Sequence, residues 1–281
     1  MSIWGKIFNR KQNKKIVITK RLDFYKLKNN NLLLGDYPTL KKSKIKIFGN
    51  NNILFCDKGV TLEKANITFA GNNSLIFLKR GKYNLEILIN NDSVLHIGEG
   101  NYFNTTQVAS KMILSEGKNI FIGNSCEFSL GLFFRNADPH LIYDKTTHNR
   151  INYSKSIYIG DHVWAGQNTI FLKGSQIHSG SIIGAGSVIA NKKVLSNEVW
   201  AGNPIRRIKD NIFWSHESVH KWTSAETKER TSCNDDCYIY EKEDNSIAFD
   251  EIEKALNCLS TAKEKCEYLK QLPNFKNRFS A

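Results

Sequence analysis

His140 is a candidate in this sequence for proton transfer. It follows Pro139, which stiffens the backbone, and it lies in a polar stretch, residues 135–152, that interrupts a regular repeat. An imidazole changes charge near neutral pH, so it can take a proton from a weak nucleophile held within hydrogen-bond reach. His148, eight residues on in the same stretch, is the competing imidazole. Asp138 and Asp144 could orient such a ring or touch a substrate, and both read equally well as turn-forming aspartates. Twenty-four residues after His140 stands Trp164, whose indole N–H could donate to a developing oxyanion. The bland alternatives are a surface-loop histidine and an aromatic side chain packed at a subunit seam.

These residues must be held by a scaffold, and the scaffold is a repeat of six. Ile159, Ala165, Phe171, Ile177, Ile183, Ile189, Leu195 and Ala201 keep one register. Four residues after each comes Val163, Thr169, Ser175, Ser181, Ser187, Lys193, Val199 or Ile205, mostly small or β-branched. Period six fits neither a helix nor a simple strand. It suits an all-β solenoid, a parallel β-helix whose coils have three short faces and a narrow bore. Residues 41–134 continue the pattern less regularly, with short apolar runs such as Ile45-Lys46-Ile47 and Leu75-Ile76-Phe77 between Gly and Asn turns. Asn tolerates left-handed backbone angles and can stack as a ladder. The register sharpens at Ile122, Phe128 and Phe134, breaks, and resumes at Tyr153 and Ile159, so a loop leaves the coil over residues 135–152.

The expected organisation is a basic extension over residues 1–40, a β-helix over 41–209 and an appendage over 210–281. The appendage should be helical over 248–272, where Ile252, Leu256, Leu259, Cys266 and Leu269 share a stripe. Such a helix would cap the open end of the solenoid or pack on a neighbouring subunit.

The net charge of +13 is uneven: residues 1–50 hold thirteen Lys/Arg and two Asp/Glu. A basic excess attracts polyanions or anionic lipid, and otherwise reads as a solvated arm. No zinc finger or ribonucleoprotein motif accompanies it, which argues against nucleic acid. There is no apolar run long enough for a spanning helix and no apolar leader core in the first twenty residues. The six cysteines are scattered, Cys233 and Cys237 lack a second pair, and a reducing compartment without a metal site is expected.

Ile159-Gly160-Asp161-His162-Val163-Trp164, Gly184-Ala185-Gly186-Ser187 and Ala201-Gly202-Asn203-Pro204, with Arg135-Asn136-Ala137-Asp138-Pro139-His140 upstream, resemble as a set the hexapeptide-repeat acetyltransferases. The likeness covers about residues 97–209 and is nearest to O-acetyltransferases that act on maltose, galactosides and bacterial surface polysaccharides, polysialic acid among them. Phe133 and Phe134, ahead of the histidine, and Asn191 depart from the family's pattern.

The resemblance implies a left-handed β-helix, acetyl-CoA as co-substrate, and direct transfer to a sugar hydroxyl through a ternary complex. His140 would be the general base, Trp164 would line the acetyl site, and Asp138 would support them. Acetyl-CoA would lie along Ala165, Gly166, Gln167, Gly184 and Ala185, with its phosphates near Lys192, Arg206 and Lys209. Asp144 and His148 would touch the acceptor. The family's trimers place each site between two solenoids, so the His140 loop of one chain would face the acetyl-CoA groove of the next. The charge suits an acidic, sialic-acid-containing acceptor and a cytoplasmic enzyme at the inner face of the membrane.

Three other readings compete. A zinc enzyme of the same fold would need His140, His162 and His178 to converge, and their intervals of twenty-two and sixteen do not place them at a common corner. His162 reads instead as a lateral surface residue. A non-catalytic glycan-binding solenoid and a nucleotide-sugar N-acetyltransferase are the others.

Overall fold

One apolar column sets the fold. Ile45, Ile67, Ile87, Met112, Phe134, Phe171 and Ile189 pair in register from strand to parallel strand, one per coil, and all are buried. A computed structural model describes residues 15–104 and 108–281. In it the chain winds through three faces per coil. The first face runs from Ile16–Ile18 through Lys44–Ile47 and Phe133–Arg135 to Val188–Ile189. The second runs from Leu32–Gly35 through Ile157–Ile159 to Lys193–Val194. The third is split into a lower stack from Thr39–Lys41 to Lys82–Tyr83 and an upper one from Tyr102–Phe103 through Trp164–Ala165 to Arg206–Lys209. Neighbours are parallel except the first strand of the first face and the closing hairpin.

The spacing along that column explains where the six-residue period holds. Phe171 to Ile189 is 18 residues, three hexads. Earlier coils take 20 to 25 residues, the surplus divided between longer strands and extra corner residues. At the corner between the first and second faces many of the corner residues are asparagines. Asn31 Oδ1 accepts from Asn52 N (2.9 Å), Asn52 Oδ1 from Ser74 N (3.0 Å), and Asn72 Oδ1 from Asn50 N (2.8 Å). Asn51 and Asn73 adopt left-handed angles of +58° and +56°. In the regular coils Thr169, Ser175 and Ser187 are buried, and their hydroxyls donate to the carbonyls of Gly166, Leu172 and Gly184. The narrow corner therefore wants a small residue that can also satisfy a backbone acceptor.

Several boundaries differ from the expectation. The sheets begin at Ile16 and Leu32, so residues 16–40 already belong to the coils, while residues 1–14 of the basic extension lie outside the described residues. Tyr153 is 63% exposed and off the register, and the coil resumes at Ile157–Ile159. In the last coil Ile177 pairs with Val194, so Val194 faces the bore and Leu195 is 41% exposed. That coil is one residue shorter at its corner, which turns Lys193 outward as well.

The appendage lies along a side of the solenoid rather than over its end. The outward residues of the second face form an aromatic ladder, Phe55, Phe77, His96, Phe121 and Tyr158, with ring centroids 4.1 to 6.0 Å apart. Phe249, Ile252, Leu256, Cys266, Leu269 and Phe279 pack onto this side. Each such apolar side chain contributes ~1.5–3 kcal/mol on full burial. The expected single helix is two, Phe249–Cys258 and Ala262–Lys270. Leu259 ends the first, and Thr261 with Glu264 forms a capping box that starts the second. Arg278 locks the end of the chain to Asp161 through bonds of 2.7 and 2.8 Å.

Burial leaves three imidazoles reluctant to charge. It lowers His96 to about 3, and His162 and His178 to about 4, from an ordinary 6.5. The unfolded chain therefore binds more protons below pH 6.5, and stability rises with pH between about 4 and 6.5. Thermal melts should show Tm falling steadily as pH drops through that window. His96→Phe, which keeps a ring in the ladder, should flatten the slope; an unchanged slope would remove His96 from this account.

Candidate active site

The loop that carries His140 leaves the first-face strand Phe133–Arg135 and rejoins the coil at Ile157–Ile159. Its neck is closed by Lys155 N donating to Asn136 O at 3.2 Å. Tyr143 and Arg150 pair antiparallel, so the loop is a small hairpin. At its tip Asp144 Oδ1 accepts from Thr146 N, Thr147 N and Thr147 Oγ1. Those backbone donors, Thr147 first, hold the Asp144 carboxyl below the usual carboxylate range. The structure thus gives Asp144 a turn-forming part, and His148 sits beside it, exposed at a φ of +57°.

Asn152 is the hub of the loop. Buried, it donates through Nδ2 to His140 O at 2.8 Å and to Asp138 Oδ2 at 3.1 Å, and accepts from Ile142 N at 2.9 Å. Lys173, one coil on, reaches Asp138 Oδ2 at 2.5 Å and lowers that carboxyl's pKa. Glu116, one coil back, accepts from Arg150 at 2.9 Å and Ser154 at 2.5 Å. Asp138 therefore braces the backbone beneath His140, not its ring. The His140 side chain is exposed, and among the described residues its imidazole makes no hydrogen bond.

Trp164 lies on the third face, in an outward column that runs Tyr102, Glu127, Trp164, Ile182, Val199. It is 41% exposed, and among the described residues its indole N–H has no acceptor. The corner that follows is built from Gly166, Gln167, Gly184 and Ala185. A Cβ on Gly166 would stand 2.5 Å from Ala185 N, and one on Gly184 would stand 2.8 Å from Ala201 Cβ. Close stacking of the coils accounts for both glycines, and it leaves a wall with little side chain over the backbone, which a thin pantetheine arm can approach. Ala165 is different: its methyl faces the bore and is fully buried, so only its backbone could meet a ligand. Arg206 and Lys209 are exposed on the closing hairpin of this same face, suited to nucleotide phosphates.

Two edges of the triangle thus divide the expected residues. Trp164, Gly166, Gln167, Gly184, Ala185, Arg206 and Lys209 share the third face and its following corner. His140, Asp138, Asp144 and His148 rise from the corner between the first and second faces, which lies opposite the third. Lys192 stands at that opposite corner too, between Val188–Ile189 and Lys193–Val194, apart from Arg206 and Lys209 of its own chain.

The zinc reading is not supported. His162 is buried at a corner with a φ of +54°, stacked on Trp214 at 3.9 Å with Nε2 2.8 Å from Trp214 O. It is no surface residue, because the appendage covers it. His178 stacks on Phe249 at 4.7 Å, and neither meets His140. Among the described residues no three His, Cys, Asp or Glu side chains are grouped to hold a metal.

Residues 156–191 match the family described as bacterial transferase hexapeptide (six repeats). The chain is 34% identical over 192 residues to the polysialic acid O-acetyltransferase of Neisseria meningitidis, covering 68% of this chain and 78% of that protein. It is also similar to the crystal structure of the polySia-specific acetyltransferase NeuO, with a TM-score of 0.61 and 29% identity over 71% of this chain and 93% of that one. The polysialic acid O-acetyltransferase OatWY gives 0.62 and 27% over 71% and 94%. The chain belongs to the hexapeptide-repeat acetyltransferase family. It is an acetyl-CoA-dependent O-acetyltransferase.

Three features of this acetyltransferase's site region were not legible in its sequence. Asn152 braces the loop from within, Lys173 and Glu116 brace it from the coils on either side, and no period or motif marks them. Glu253 of the helix Phe249–Cys258 accepts from Lys118, Ser156 and Tyr158, tying down the loop's return. Trp214 and His216, in a stretch that reads as polar and irregular, stand beside Trp164; the aromatic run of Trp214, Tyr238 and Tyr240 was the available signal.

Proposed function

We propose that this acetyltransferase modifies a sugar hydroxyl of an anionic bacterial surface glycan, a sialic-acid-containing polymer, at a site assembled between adjacent chains of a homotrimer. The observation that carries the assembly is the loop itself. Beside its exposed imidazole it exposes Leu141, Ile142, Tyr143, Ile151 and Tyr153, a patch that calls for cover. The outer surface of the first face in the later coils is mostly apolar, through Ile113, Phe133, Ile170, Leu172 and Val188, with Lys111 and Arg135 among them. That face lies between the loop corner and the Trp164 corner. Packing three first faces about an axis brings the loop of one chain against the Trp164 edge of the next.

In that arrangement His140 takes the proton from the attacking hydroxyl, whose oxygen bonds to the thioester carbonyl carbon. The Trp164 N–H donates to the oxyanion. Its collapse expels the thiolate of coenzyme A, which recovers a proton from the imidazolium. Asp144 and His148, at the loop tip, are placed to reach the acceptor, and Lys192 to reach the phosphates bound by the neighbouring chain.

An anionic acceptor is supported by the named acceptors of the similar proteins and by the charge. Lys41, Lys42 and Lys64 are exposed on the early coils at the corner shared by the third and first faces. The proposal places the enzyme in the cytoplasm, where acetyl-CoA is supplied, at the inner membrane face. Transfer to a panel of acidic and neutral glycans, read by mass, tests it. Acidic polymers should be preferred, with kcat/KM falling as salt rises. Equal use of neutral glycans without salt dependence would overturn the acidic acceptor.

A further inference from the structure

The third face holds a cleft that starts at Trp164 and is otherwise lined by residues without a catalytic assignment. Its volume is about 740 Å³, in the range of roughly 300–1,000 Å³ typical of small-molecule sites. One wall is the outward column Tyr102, Glu127 and Trp164; the other is the start of the appendage, with Trp214 and His216. Tyr102 is 57% exposed. His216 Nδ1 lies 2.7 Å from Glu127 Oε1, and its ring packs edge-on against Trp214 at 5.0 Å.

Position along the solenoid separates the two substrates. From Trp164 toward the end of the coils lie Gly166, Gly184, Ala185 and then Arg206 and Lys209, the wall suited to acetyl-CoA. From Trp164 toward the start lie Glu127 and Tyr102, one and two coils back, and the cleft. Coils stack at about 4.8 Å, so the cleft wall extends about 10 Å away from the acetyl site. In a ternary complex both substrates meet at Trp164, and the acceptor must approach from the side that acetyl-CoA leaves open.

We infer that this cleft is the acceptor subsite, in which the exposed face of Tyr102 packs on a pyranose ring and the paired His216 and Glu127 hydrogen-bond its hydroxyls. The chemistry fits. Sugar rings offer an apolar C–H face to an aromatic platform, and hydroxyls pair with groups that both donate and accept. Trp214 holds His216 in place by its ring contact, so the appendage supplies one wall of the acceptor site as well as covering the second face. His216 is then a specificity-determining residue: it selects which hydroxyl-bearing ring sits next to Trp164, without taking part in proton transfer at the thioester.

This inference rests on the acetyl-transfer reading above, and the experiment separates them. Wild-type enzyme is first assayed for acetyl transfer to glycan. If no glycan is acetylated, the functional reading fails and the inference with it. If transfer occurs, Tyr102→Ala and His216→Gln are compared, both at exposed positions. Each should raise acceptor KM by about tenfold, the effect of one ring contact or charge-assisted hydrogen bond, with affinity for coenzyme A by calorimetry unchanged. Unchanged acceptor KM in both variants, a matching loss of coenzyme A affinity, or dissociation of the assembly on size exclusion would overturn it. The last result would make the cleft a seam between subunits.

Discussion

Replacing His140 with alanine is expected to lower kcat by about 10²–10⁴-fold, the span that a positioned general base supplies. The argument starts from the loop. Asn152 binds the backbone carbonyl of His140, Lys173 and Asn152 hold Asp138, and Glu116 holds Arg150 and Ser154, so the hairpin is braced without any bond from the imidazole. Among the described residues the exposed ring makes no hydrogen bond, so Tm should stay at the wild-type value and the lost rate is chemical. Affinity for coenzyme A should hold, since the wall proposed for it lies on another face. His148→Ala should cost little by comparison. A reversed ranking, with His148→Ala the crippled variant, would move the base to the tip of the hairpin.

Trp164→Phe should lower kcat by about 10²–10³-fold, as expected for one oxyanion donor. The sharper result comes from combining it with His140→Ala. If each site takes its loop from one chain and its indole from the next, mixed trimers contain some sites with both residues intact. Random mixing of equal amounts yields about a quarter of the sites with loop and groove both wild type. Two nearly inactive preparations, unfolded together and reassembled, should therefore recover about a quarter of wild-type activity. A site contained within one chain would recover nothing, since every chain in the mixture carries one lesion.

What could be read in advance depended on how local the cause was. Ile159 through Ile189 fell six apart because those coils have no surplus residues, and the bore accepts one side chain per face. Earlier coils hid the same architecture because longer strands and corners of varying length, many of them asparagine-rich, shift the count. Leu195 was misplaced by a single missing corner residue, which no apolar pattern reports. His162 looked like a surface residue because the ring that buries it, Trp214, is fifty-two positions away. The split of the helix at Leu259 was legible, since Thr261 and Glu264 have the spacing of a capping box. The edge that holds Trp164 followed from the repeat, whereas the bracing of Asp138 by Lys173 and of Arg150 by Glu116 arises only when neighbouring coils stack.

Because its own tail sheathes the second face, this solenoid has one aromatic flank permanently withdrawn from association. Were Phe77, Phe121 and Tyr158 bare, each molecule would carry an adhesive side pointing away from the first face, and contacts there could propagate without closing. The latch between Arg278 and Asp161 keeps that flank shut. The tail therefore acts as a limiter on growth, since it removes an adhesive flank from self-recognition.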